Sequence, residues 1–307
     1  MRIGLVDVDS HNFPNLCLMK LATYHKGRGD SVELLRPADV LDGQNLFGGY
    51  DKLYGACVFD WNRATADRLA EIGVEIGGTG TGRDITLPDK VEHMMPDYSL
   101  YGITDTAYGF LTRGCPRGCP FCIVAGKEGR KSRKVADLSE FWAGQKNIKL
   151  LDPNILAYPG HIELLKQLET SGAWIDFCSG VDCRLLNDEN TAIINALKVK
   201  MIHFAWDNPR DNSIQPALLR FAKGSNLDYW RRKVYVLVNY WSTPDEDLNR
   251  VEWLRGNGYD PFVMIYDKAN APPFVKHLAR YVNNKFIFWS CPTFYEYRGT
   301  VKKGARV

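Results

Sequence analysis

The 307-residue sequence has no stretch approaching the roughly 20 apolar residues that a membrane helix needs. It also lacks charge of one sign. Lys and Arg number 39 and Asp and Glu 36, a formal +3, which is too little to argue for wholesale binding of a phosphate backbone. The N-terminal MRIGLVDVDSHNFPN turns acidic after its apolar run and has no small-residue cleavage site, so it does not read as a secretory signal. Hydrophobic residues at 45% and charged residues at 24% exclude a disordered or collagen-like chain. The expected compartment is therefore cytoplasmic and reducing, with no membrane partner. There the eight cysteines are thiols or metal ligands rather than disulfides.

Five cysteines, Cys17, Cys57, Cys178, Cys183 and Cys291, are scattered; Cys115, Cys119 and Cys122 form a C-x3-C-x2-C run. A structural zinc site usually takes four protein ligands from two paired clusters, and no second Cys or His pair of that spacing exists. Three thiolates suit a cubane iron–sulfur cluster with one iron left open. Pro116, Gly118 and Pro120 make the loop tight and non-helical. Arg113, Arg117, Lys127, Arg130, Lys131, Arg133 and Lys134 favour thiolate and an anionic cluster. The competing readings are a zinc site and three structural cysteines in a turn. A core segment would not be this rich in Pro, Gly and Arg.

The segment GFLTRGCPRGCPFCIVAGKEGR resembles the cluster-binding loop of the radical S-adenosylmethionine (SAM) superfamily. That signature has C-x3-C-x2-C with an aromatic residue before the third Cys, a place Phe121 occupies. The resemblance implies a 4Fe–4S cluster held by Cys115, Cys119 and Cys122, with SAM on its open iron. It implies reductive cleavage of SAM to methionine and a 5′-deoxyadenosyl radical that takes a hydrogen atom from a substrate the sequence does not identify. An external one-electron reductant such as flavodoxin or ferredoxin is implied as partner. The cofactor-binding residues carried over by position are Phe121 and the strand-end residues Asp152, Asn154, Asp182 and Arg184. LLDPN stands where the family has Gly-Gly-Glu. The plain alternative for these polar residues is a helix cap or a turn.

From residue 108 onward, strand and helix signals alternate. Strands are expected at 109–114, 147–154, 174–180, 200–207, 233–240 and 261–267, with a last short one at 285–290. Helices are expected at 137–144, 161–170, 188–197, 214–223, 244–256 and 272–283. Apolar strands alternating with amphipathic helices mean a parallel sheet covered by helices. Six such units make a partial (β/α)6 TIM-like barrel, the architecture the resemblance implies, with its site at the C-terminal strand ends. Cys178 and Cys183 read as core or loop thiols. Trp142, Trp174, Trp206, Trp230, Trp241 and Trp289 read as core rather than as platforms for bases. The basic run at 126–134 reads as a solvated face or as the shell of the cluster, and a nucleic-acid substrate stays open.

Residues 1–79 read as a small doubly wound, Rossmann-like α/β unit, with strands at 2–9, 31–35, 50–59 and 74–78 and helices at 14–26 and 65–72. Residues 80–107 read as a linker, 108–291 as the partial barrel and 292–307 as a basic tail. The N-terminal pattern is similar to the cobalamin-binding domain that precedes many radical SAM barrels. Asp9-Ser10-His11 resembles the cobalt-ligand motif, with Pro14 in place of its Gly. That resemblance implies cobalamin as a further cofactor with His11 as ligand; the alternative is a degenerate scaffold or a substrate-gripping domain. Two other functions stand beside the radical SAM enzyme: a cobalamin-dependent radical SAM methyltransferase, and a non-catalytic iron–sulfur or zinc-binding protein.

Overall fold

The computed structural model describes residues 1–9, 13–42 and 49–297. The chain divides into two compact units, Met1–Gly109 with Ala136–Lys146, and Phe110–Val135 with Asn147 onward.

The first unit begins with β1 (Arg2–Asp7), α1 (Leu16–Lys26), β2 (Ser31–Leu35), α2 (Pro37–Leu41), β3 (Lys52–Ala56), α3 (Arg63–Glu71) and β4 (Glu75–Gly77). Its four strands are all parallel, in the order β2-β1-β3-β4. The chain therefore steps to one side of β1 and then crosses to the other. Side chains of β1 alternate between two cores. Ile3 and Leu5 pack with Leu18, Leu21 and Ala22 of α1, while Val6 packs with Val40, Ala66, Leu69 and Ile76 from α2, α3 and β4. Helices thus cover both faces, as the doubly wound pattern requires. The Asn15 carboxamide starts α1 by accepting from the amides of Cys17 and Leu18.

Residues 80–107 carry α4 (Asp89–Glu92) and end in β5 (Thr106–Gly109). Several hydrogen bonds hold this stretch. Lys20 Nζ meets Glu92 Oε1 at 2.9 Å, Asp97 N donates to Met19 O at 3.1 Å, and Tyr101 Oη donates to Asp7 Oδ2 at 2.6 Å.

The second unit opens with β6 (Thr112–Arg113), α5 (Val124–Lys127) and β7 (Arg133–Lys134). Then come β8 (Asn147–Leu150), α6 (His161–Ser171), β9 (Trp174–Phe177), α7 (Asp188–Ala196), β10 (Lys198–Ala205) and α8 (Ile214–Gly224). The unit continues with β11 (Arg232–Val238), α9 (Pro244–Gly256), β12 (Asp260–Ile265), α10 (Pro273–Asn283) and α11 (Lys285–Ser290). Strands β8 to β12 are parallel neighbours in chain order. A parallel series with a helix after each strand is the connectivity shared by barrels and open α/β sheets. Ile148, Leu150, Ile175, Phe177, Val234 and Val236 are buried, while the alternate Lys149, Asp176, Lys233 and Tyr235 are only partly so.

Three sequence expectations are corrected. Residues 285–290 form α11, not a strand, because Asn284 Oδ1 caps Ile287 N at 3.2 Å and only Phe288 needs burial, Phe286 being exposed. The helix expected at 137–144 shrinks to one 3-10 turn at Leu138–Glu140, followed by Phe141 at φ −138° and Gly144 at φ +96°. The strand expected at 109–114 is split into β5 and β6. The amides of Leu111 and Thr112 donate to the Asp152 carboxylate rather than to a ladder. No helix among the described residues is long and apolar enough to cross a membrane.

Candidate functional site

The cysteine loop is closed at its base by β6 and β7, which pair antiparallel, Thr112 with Lys134 and Arg113 with Arg133. Glu128 clamps the entry by accepting from Gly114 N at 3.0 Å and from Arg113 Nη1 at 2.9 Å. Two glycines make the bend feasible. Gly114 sits at φ +86° hard against the Lys131 carbonyl, and Gly118 at φ +57° against the Arg130 guanidinium; a Cβ at either would collide. Cys115 N donates to Gly129 O at 3.2 Å and Cys122 N to Cys119 O at 3.0 Å.

Cys115 and Cys119 are half-buried and Cys122 is exposed. Burial raises the Cys119 thiol pKa, and Asp207, Cys122 and Cys115 raise it further while Arg184 opposes them. Each of these anionic neighbours favours the protonated thiol, an effect a bound cation would oppose. Among the described residues no group of three or more His, Cys, Asp or Glu is gathered closely enough to hold a metal ion. Zinc wants four donors on one ion, whereas the thiolates of a cubane each take a different iron. The donor set, three thiols with one cubane corner left over, fits the cluster. An amide beside a ligand sulfur also fits: Asn154 Nδ2 lies 3.9 Å from Cys115 Sγ.

That amide begins a network that joins most of the sequence-expected residues to the loop. Asn154 Oδ1 accepts from Asp182 N at 3.4 Å. Asp182 binds Arg117 of the cysteine loop at 2.5 Å and Arg184 Nε at 2.7 Å, and Arg184 reaches Asp211 at 2.5 Å. Phe121 stands edge-on to Tyr240 and Trp241, with ring centroids 5.5 and 5.7 Å away. Asp152 lies apart from this group. It is buried, and its oxygens accept from Leu111 N at 3.0 Å, from Thr112 N and from Thr112 Oγ1 at 2.6 Å. Burial pushes its carboxyl up to about 6 against the pull of those donors.

Sequence reasoning missed Glu128, Asp211 and Arg250. Carboxylates in basic loops and arginines in helices ordinarily read as solvated. It also misread Trp241, Trp230 and Trp289, which are 36%, 46% and 37% exposed rather than core, while Trp206 is buried as expected. Burial pushes the Cys178 and Cys183 thiols up to about 12, which keeps both protonated near neutrality. In the first unit the Asp9 carboxylate accepts from Val58 N, from Phe59 N at 3.4 Å and from Asn62 Nδ2 at 2.8 Å. His11 lies outside the described residues.

The fold and loop together define an α/β protein with parallel sheets and a three-cysteine loop in its second unit. No family model matches the chain. Over 129 residues it is 33% identical to the tRNA-2-methylthio-N(6)-dimethylallyladenosine synthase of Flavobacterium psychrophilum, a match covering 40% of this chain and 26% of that enzyme. The chain thus spans about a quarter of the length of the curated relative it matches.

Proposed function

We propose that the chain is a radical SAM enzyme built on a partial (β/α)6 barrel, with Cys115, Cys119 and Cys122 as cluster ligands. The observation that carries this reading is the C-x3-C-x2-C loop, whose Cys115 sulfur meets the Asn154–Asp182–Arg184 network, with no second Cys or His pair in the sequence to complete a zinc site. When bound, the cluster and SAM supply the one-electron cleavage and the hydrogen-abstracting radical. The chain's own residues do the positioning. Asn154 directs an amide hydrogen at the Cys115 sulfur, and Arg117 ties the loop to Asp182. Arg184, fixed between two carboxylates, presents the remaining edge of its guanidinium as a contact for the SAM carboxylate.

Asp152 is reassigned from a SAM contact to a brace that fixes the chain four and three residues before Cys115, because both its oxygens already accept from the Leu111 and Thr112 amides and the Thr112 hydroxyl. The name of the matched relative supports the reaction class. Placing a methylthio group on an adenine ring replaces an unactivated C–H bond, a task suited to radical chemistry. The electron donor is an external one-electron carrier such as flavodoxin or ferredoxin.

Anaerobic purification tests the reading. The protein emerges brown and, with dithionite and SAM, yields 5′-deoxyadenosine; Cys119→Ala abolishes that product and lowers bound iron. Colourless protein with stoichiometric zinc, or undiminished cleavage by Cys119→Ala, would refute it.

A further inference from the structure

Beside the cysteine loop lies an aromatic surface that the cluster chemistry does not use. Phe121 touches Tyr240 and Trp241, Tyr240 touches Trp241 at 4.8 Å, and Tyr240 touches Tyr266 at 4.6 Å between ring centroids. Trp241 and Tyr266 are exposed although they extend a contiguous ring cluster. The backbone beneath is unusual. Asn239 and Asp267 are the only non-glycine residues at positive φ among those described, at 64° and 46°. One precedes Tyr240 at the end of β11 and the other follows Tyr266 at the end of β12. Asn239 Nδ2 binds the Tyr266 carbonyl at 3.1 Å, so the two strained strand ends are tied together. Strain of this kind persists where surrounding structure holds a functional arrangement.

A second, independent feature meets the same loop. Residues 126–134, GKEGRKSRK, hold five cations and one carboxylate, +4 within a chain whose total is +3. Arg130, Lys131 and Arg133 are exposed, and the Arg130 guanidinium packs on Gly118 between the first two cluster cysteines. Exposed rings and concentrated positive charge meeting one loop are the two chemistries that grip single-stranded nucleic acid, by base stacking and by phosphate neutralisation.

We infer that this surface binds the substrate of the proposed radical SAM site, and that the substrate is a base in single-stranded RNA. The base stacks on Trp241 and Tyr266, and the adjoining phosphates lie on Arg130, Lys131 and Arg133. The inference rests on the proposed function for its placement at the reactive loop, but its test needs neither cluster nor SAM.

Fluorescence anisotropy of the full chain with a labelled RNA decamer of mixed sequence, and with an abasic decamer of the same ribose-phosphate backbone, provides that test. The base-containing RNA binds at least tenfold tighter than the abasic one. Trp241→Ala weakens the mixed decamer at least roughly fivefold and leaves the abasic decamer unchanged, and Trp241→Phe restores most of the loss. The double variant Arg130→Ala/Lys131→Ala weakens both. Equal binding of the two decamers by the unaltered chain, no binding of either, or a dimer that Trp241→Ala dissociates would overturn the inference. The decamer comparison in the unaltered chain stands even where a variant misfolds. RNA binding by a chain that holds no iron sinks the proposed function alone; SAM cleavage without RNA binding sinks this inference alone.

Discussion

The carboxylate of Asp152 stands between two opposing effects. Burial favours its protonated form, while the two amides and one hydroxyl that donate to it favour the charged form, and burial prevails, raising the pKa from the ordinary 3.8 to about 6. A folded-state pKa above the unfolded value means the folded chain holds a proton that the unfolded chain has released. The stability contributed by this group is therefore fully present below pH 3.8 and declines as pH rises to about 6. Asp152→Asn removes the titration but turns one acceptor into a donor facing backbone amides, a loss of about 1–3 kcal/mol. The variant is therefore less stable than the unaltered chain near pH 4, and the gap narrows toward pH 7. Urea unfolding at both pH values checks this; a gap that stays constant would mean the carboxylate does not titrate in that window. In sequence, Asp152 was indistinguishable from Asn154 and Asp182: all are polar residues after a strand. Which of them faces the loop thiols and which faces backbone depends on where Leu111 and Thr112 pass, a contact 40 and 41 residues distant.

Elements with strong local signals emerged within a residue or two of expectation. Helix α9 has Thr243 as a side-chain cap in a reciprocal box with Glu246, and Pro244 at its first position. Helices α6 and α8 follow from apolar residues three and four apart. Residues 285–290 went wrong because a six-residue aromatic run carries no period long enough to separate strand from helix. What local signals left hidden in α9 is its buried ion pair. Arg250 binds Asp247 at 2.6 Å and donates to the carbonyls of Trp206, Asp207 and Leu237, so one helical side chain ties together the ends of β10 and β11. Arg250→Met leaves Asp247 buried without its partner and three carbonyls without a donor, and costs about 3–5 kcal/mol. Thr243→Ala, which removes only the cap, costs about 1 kcal/mol. Urea midpoints of the two variants should separate accordingly. Equal losses would place the stability of this region in the cap rather than in the pair.

Over the whole molecule, charge is nearly balanced, and the balance conceals its distribution. The +4 of residues 126–134 exceeds the +3 of the entire chain, so the remaining residues together are slightly acidic. The attraction to RNA then comes from that local concentration and the rings beside the same loop rather than from the total charge. The consequence is a shallow salt dependence. Each phosphate neutralised on a single strand contributes a slope of about −0.7 to the plot of log affinity against log salt, so three cations at Arg130, Lys131 and Arg133 give about −2. Raising salt from about 50 to about 200 mM then weakens RNA binding by about 16-fold, well short of the thousandfold or greater loss of a protein that tracks many phosphates. Arg130→Ala/Lys131→Ala reduces the slope to about −0.7, the value for a single remaining contact. Trp241→Ala lowers affinity at every salt concentration and leaves the slope unchanged, because stacking releases no counterions. A slope much steeper than −2 would locate the phosphate contacts outside the cysteine loop's basic run and would detach RNA binding from the reactive site.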